Sequence, residues 1–247
     1  MLQQEVPPQI AAIVAAKNER RRELAALSWE DKVDIIQRMW SLREALPAEP
    51  TVTWNDVCQQ FIRLLRERIV ATATLTEDSL RHTFFLALVQ TGFCTHVQIS
   101  LGERHPAFEG ENKEIDLVAR PQLACEFKFD RGIPSGKNQP RPQKMGALFA
   151  DVFRLARISV SFAKNKYLIY FTDGEMAAYL SKTRNEPLGL LQLKPNETIE
   201  ISQDYGAKLS RAFQKRAGNP GKPCRMMCVC HADFERDYHL RIWQIYD

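Results

Sequence analysis

No apolar run in this sequence approaches the roughly 18 residues of a membrane span. The opening MLQQEVPPQI also lacks the basic-then-apolar layout of a secretory signal. There is no G-x4-G-K-[S/T] loop and no G-x-G-x-x-G turn, so nucleotide-driven chemistry has no motif to stand on. The histidines at 82, 96, 105, 231 and 239 form no H-E-x-x-H or comparable spacing, which leaves histidine-based metal hydrolysis unsupported. Cysteine is sparse and scattered, at 58, 94, 125, 224, 228 and 230. That suits reduced thiols in a cytosol better than a disulfide framework. Three of the cysteines fall in CRMMCVCH (224–231), but their x3 and x1 spacing lacks a second pair for structural zinc. Their shared parity predicts instead that Cys224, Cys228 and Cys230 line one face of a buried strand.

What two long stretches lack is acid. From Arg131 to Thr172 eight Lys or Arg stand against Asp151 alone, and from Tyr205 to Ala232 six stand against none. Net charge is only +4, so the asymmetry lies in the distribution. Such stretches suit a polyanion, whose bound counterions are released by each basic contact. Solvated helix faces would show the same bias.

The chain's 247 residues can hold one large domain with a small appendage. Residues 9–46 read as two helices, the second opening at an N-cap, Ser28, with Asp31 at its third position. PAEPTVTW then breaks the pattern, which divides the chain into a helical appendage (1–50) and a main domain (51–247). Helices are expected over 54–70, 77–91 (capped by Thr76), 143–158, 174–182 and 206–217. Strands are expected near 96–101, 114–119, 124–129, 166–171, 198–202, 224–231 and 238–246. The unbroken apolar run of the 166–171 segment places it centrally in the sheet. The order is α/β with a mixed sheet flanked by helices.

KEIDLVARPQLACEFKFDR (113–131) puts charge inside two of these strands. If they form a hairpin with a three-residue loop, Asp116 stands opposite Glu126 and Lys128 lies diagonally within reach. Ile115, Leu117, Cys125, Phe127 and Phe129 then share the other, apolar face. Paired carboxylates resist joint ionisation unless a cation is present. Hard divalent ions prefer such oxygen donors, and a bound ion lowers the pKa of its water and neutralises phosphate charge. A neighbouring lysine can orient or activate that water. An ordinary solvated hairpin also alternates charge, with Glu and Lys paired across strands.

Asp116 followed by Glu126-Phe127-Lys128 resembles the motif of the PD-(D/E)XK nuclease superfamily, although Ile115 stands where a proline is usual. TEDSLR (76–81) looks like the helix start that precedes the motif strands in several members. LFADVFRLARI and KYLIYFTD are similar to the helix and buried strand that follow. The likeness covers about 76–175. It implies a restriction-endonuclease-like core and an endonuclease that cuts DNA with Mg2+, or with Mn2+, of the kind that serves restriction or phage defence. Asp116, Glu126 and the Phe127 carbonyl would hold the ion, Glu77 would assist, and Lys128 would position or activate water. Arg81 could meet Glu77 or a phosphate. Asp151 reads as an ordinary helical pair with Arg154. The loop residues Arg131, Lys137 and Arg141, with Gln143 and Lys144 at the following helix start, are expected on the nucleic-acid backbone. The appendage would serve a homodimer or a defence complex in the cytoplasm, with no membrane partner. Two other readings stay open: an inactive nucleic-acid-binding module on the same fold, and a helical interaction subunit.

Overall fold

The computed structural model describes residues 52–247, without 109–110, 132–139, 182–192, 203–204, 206–208, 220 and 247, together with positions 19, 26–28, 31 and 34. The chain divides into two units, Met1–Thr51 and Val52–Asp247. Most of the two helices expected over 9–46 lies outside the described residues. At Ser28 the expected cap is present: the Asp31 N–H donates to Ser28 Oγ at 3.1 Å, and that hydroxyl donates back to Asp31 Oδ2 at 2.8 Å.

The second unit opens with α1 (Trp54–Val70) and α2 (Glu77–Thr91). β1 (Ile99–Arg104), β2 (Glu114–Ala119) and β3 (Leu123–Asp130) come next, then α3 (Arg141–Ala156) and β4 (Asn165–Asp173). The rest is α4 (Gly174–Leu180), β5 (Thr198–Ile201), α5 (Arg211–Ala217), β6 (Cys224–Phe234) and β7 (Tyr238–Tyr246). The strands form one mixed sheet in the order β1-β2-β3-β4-β7-β6-β5, with β4 at its centre as its apolar run predicts. β3 and β4 pair in parallel, from Leu123↔Asn165 to Asp130↔Thr172, and α3 is the crossover between them. The other pairings are antiparallel.

Helix starts follow local chemistry. Thr53 and Asp56 exchange side-chain-to-backbone bonds at the head of α1, and Thr76 and Ser79 do so at α2. The α2 helix stops at Gly92, whose φ of +77° is open to glycine without strain. Apolar residues on α1 recur at helical spacing (Val57, Phe61, Leu65, Ile69) and bury against one face of the sheet with α2. Phe61, Phe84 and Phe127 meet there edge to face, at ring-centroid distances of 5.1 and 5.6 Å. Each such buried side chain contributes about 1.5–3 kcal/mol. The opposite face is covered by α3 and α5. Gly146 lets these two helices touch, because a Cβ there would fall 2.7 Å from the Phe213 carbonyl oxygen.

Two expectations about faces need correction. Ile115 packs with Val118 and α3, not with Leu117. The β1–β2 ladder skips the Gly102–Asp116 position between Leu101↔Leu117 and Glu103↔Ile115, and Gly102 takes a φ of +67° there. β2 is therefore irregular at Asp116, and strict alternation fails across it. Cys230 likewise parts from Cys224 and Cys228. Cys228 pairs with Trp243 but Cys230 with Ile242, so an extra residue is absorbed in a bulge. Cys230 then joins the α1 side of the core while the other two face α3.

Candidate active site

β2 and β3 pair in the register that a three-residue loop dictates: Leu117↔Cys125, Val118↔Ala124 and Ala119↔Leu123. The ladder ends one step before Asp116 and Glu126. There, beyond the last β2–β3 pair, the Phe127 N–H donates to Asp116 Oδ2 at 2.8 Å. A carboxylate thus terminates the hairpin and is held by backbone.

Two helices bring the remaining charges. The capping of α2 by Thr76 fixes Glu77 in its first turn, and Lys128 Nζ lies 3.2 Å from Glu77 Oε2. Lys128 also lies 3.3 Å from Asp151 Oδ2 on α3. Asp151 Oδ1 pairs with Arg154 at 2.8 Å, and Arg154 donates twice to Glu126 Oε1, at 3.0 and 3.2 Å. An unbroken ion-pair chain therefore runs Glu77–Lys128–Asp151–Arg154–Glu126. Arg81, one helical turn past Glu77, bonds Asp116 Oδ1 at 2.7 Å and Asp78 at 3.4 Å. Its choice is Asp116.

Sequence spacing placed Asp151 in an intrahelical pair. That pair exists, yet the same two residues also reach β3. Both Glu126 (1% exposed) and Asp151 (3%) are buried. Burial raises the pKa of Glu126 well above the carboxylate range, and Asp151 and Asp116 add to the rise against the pull of Arg154. Burial also raises Asp151, opposed by Lys128 and Arg154. For Lys128 burial alone would favour the neutral amine, but Asp151 and Glu77 overcome it and raise the pKa. Lys128 is a firm cation at neutral pH. Asp130 follows two residues later on the same face, 7% exposed and with Oδ2 unbonded. Its pKa rises from 3.8 to about 6 through burial, against Lys144 and Lys128.

His105 steadies this cluster from below. Its Nδ1 accepts from the Ala107 N–H at 3.1 Å, which leaves Nε2–H to donate to the Arg154 carbonyl at 2.9 Å. A neutral ring satisfies both bonds, and burial lowers its pKa accordingly.

The residues expected on nucleic acid are dispersed. Arg131 is exposed, with its guanidinium 5.0 Å from the Phe129 ring centre and a 3.4 Å bond to the Leu75 carbonyl. Lys137 lies outside the described residues. Arg141 pairs with Glu175 at 3.0 Å. Gln143 is half-buried in the first turn of α3. Lys144 is turned inward, 9% exposed, and donates to the Arg131 carbonyl at 2.5 Å. Beside Lys128 opens a cavity of about 440 Å³, where Lys113, Arg154, Arg157 and Arg216 surround the single acid Asp151. Arg157 and Arg216 belong to no motif; the base-rich stretches that contain them are the signal the sequence offers.

No protein-family model, curated protein or solved structure matches this chain. The site must be judged on its own chemistry. Asp116, Glu126 and the Phe127 carbonyl are hard oxygen donors of the kind Mg2+ takes. Burial, with Asp151 and Asp116 beside it, raises the pKa of Glu126 against the pull of Arg154, and a bound cation would lower it. The donors fit such an ion in kind. Among the described residues, no three acidic, His or Cys groups stand close enough to form a ready cluster. Arg81 and Arg154 neutralise the two motif carboxylates in its stead.

Proposed function

We propose that this chain is a Mg2+-dependent endonuclease that hydrolyses phosphodiester bonds of DNA on a restriction-endonuclease-like core. One observation carries the reading: Lys128 joins β3, α2 and α3 in a single charged network beside Glu126 and Asp116, at the rim of a cationic cavity. The motif hairpin, the helix and the buried parallel strand after it follow the order that the resemblance implies.

Asp116, Glu126 and the Phe127 carbonyl would hold the ion. When bound, it acidifies an attacking water and neutralises charge on the phosphate oxygen. Lys128, kept protonated by Glu77 and Asp151, holds that water or a phosphate oxygen by charge and does not take its proton. Arg81 and Arg154 compete with an ion for the carboxylates they now neutralise. That competition favours a second reading, a nucleic-acid-binding module without catalysis.

Plasmid cleavage decides between them. Wild type should cut in Mg2+, and Lys128→Ala should lose on the order of 10²–10³ in rate while still binding DNA. Wild-type binding without cutting in Mg2+ or Mn2+ would leave the binding module.

A further inference from the structure

We propose that the cavity beside Lys128 and Asp151 is a receptor for the terminal monophosphate of a nucleic-acid strand. The ligand class rests on the nuclease reading; the pocket rests on its own geometry. At about 440 Å³ it falls in the lower part of the roughly 300–1,000 Å³ range of small-ligand sites. That is room for a strand end and not for a strand passing through as duplex. Ala147, Ala150 and Gly218 keep its interior free of bulk, while long cations ring it.

The cations divide into two sets. Lys128 and Arg154 are already matched by Glu77, Asp151 and Glu126. Arg157 is not: it donates to the neutral Asn219 carbonyl at 3.2 Å and lies 5.1 Å from the Phe108 ring centre. Arg216, exposed at the end of α5, makes no ion pair with any described residue. Lys113 lies 4.0 Å from the Phe108 ring centre on the near wall and is shared with Glu111 at 2.8 Å. Uncompensated positive charge is therefore concentrated on the rim, away from the carboxylates.

A terminal monophosphate answers that charge better than a diester. It carries about −1.5 to −2 at pH 7 with three acceptor oxygens, as a phosphorylated side chain does, where a backbone diester carries one charge. Two guanidinium forks suit such a group, each able to give paired hydrogen bonds. The two base-rich stretches of the sequence meet here, Arg154 and Arg157 from the first, with its single acid Asp151, and Arg216 from the second. A strand whose end is held at this rim passes Lys128 as it leaves the cavity.

The test is fluorescence anisotropy with the full chain in EDTA, so that binding is read without cleavage. Internally labelled single-stranded oligonucleotides carry a 5′-monophosphate, a 3′-monophosphate, or hydroxyls at both ends. One phosphorylated end should bind about tenfold tighter than the hydroxyl-ended strand, as two charge-assisted contacts allow, and which end it is gives the polarity. The Arg157→Gln/Arg216→Gln double variant should lose that preference. Lys113→Gln, on a separate wall, should reduce it by a smaller factor, and circular dichroism reports that each variant is folded. Equal affinity for all three strands, or a preference that survives the double variant, would overturn the receptor. A wild type that cuts plasmid yet ignores the end group sinks this proposal and leaves the nuclease reading standing. An end preference without cutting does the reverse.

Discussion

Cys125 and Phe127 of β3 are fully buried against α1 and α2, while their neighbours Glu126 and Lys128 turn to the ionisable groups of α3. One strand thus has two faces built to different ends. The apolar face gains stability from each contact. The charged face carries buried carboxylates whose raised pKa values record a cost that the ion pairs only partly offset. Fold and chemistry are separated by a single residue step, so substitutions on the two faces should differ in kind. Phe127→Ala is the strongest probe. It removes the ring that meets Phe84 at 5.6 Å and should cost about 3–5 kcal/mol in denaturant unfolding. A cost below about 1 kcal/mol would mean that this face is not what holds β3.

The division was half legible in the sequence. The strand and helix order, the hairpin register and the central place of β4 all follow from periodicity, loop length and apolar runs. These are local signals that survive packing. The pairing of Asp116 and Glu126 with arginines does not follow, because Arg81 and Arg154 come from helices whose distance from the sheet no spacing encodes. Asp151 had a signal that its pair with Arg154 masked. Positions 144, 148, 151 and 155 lie along one arc of α3, and Leu148 and Leu155 on that arc are core residues. A charge on an apolar arc is one that the interior has to satisfy. The same arc explains why Lys144 turns inward, when a helix-start lysine reads as a phosphate contact. The bulge at Cys228 and Cys230 was invisible for another reason: parity counts residues, and only the partner strand reveals that one is extra.

Asp130 sharpens the comparison on the charged face through pH. Its folded pKa, about 6, lies above its ordinary 3.8. The folded state therefore binds the proton more tightly than the unfolded chain does. The stability this contributes is complete below about pH 4 and is lost as pH rises through about 6. The shift corresponds to roughly 3 kcal/mol, an upper figure because local relaxation softens it. Asp130→Asn should recover on the order of 1–2 kcal/mol at pH 8 and flatten the unfolding midpoint between pH 4 and 6. If the variant is no more stable than wild type at pH 8, the charge at 130 is compensated and the cost assigned to this face shrinks.

The smallest effect separates positioning from stability. Thr76 caps α2, exchanging bonds with Ser79 at 2.8 and 3.1 Å, and the next residue is Glu77, one of the two carboxylates on Lys128. Thr53 caps α1 in the same manner but precedes no residue of the charged network. Thr76→Ala and Thr53→Ala should each cost about 1 kcal/mol of stability. Only the first loosens the turn that holds Glu77, so only the first should lower the rate of plasmid cleavage once both variants are assayed well below their melting temperatures. Equal rates for the two would show that Lys128 is held by Asp151 alone and that Glu77 is a spectator at the helix start.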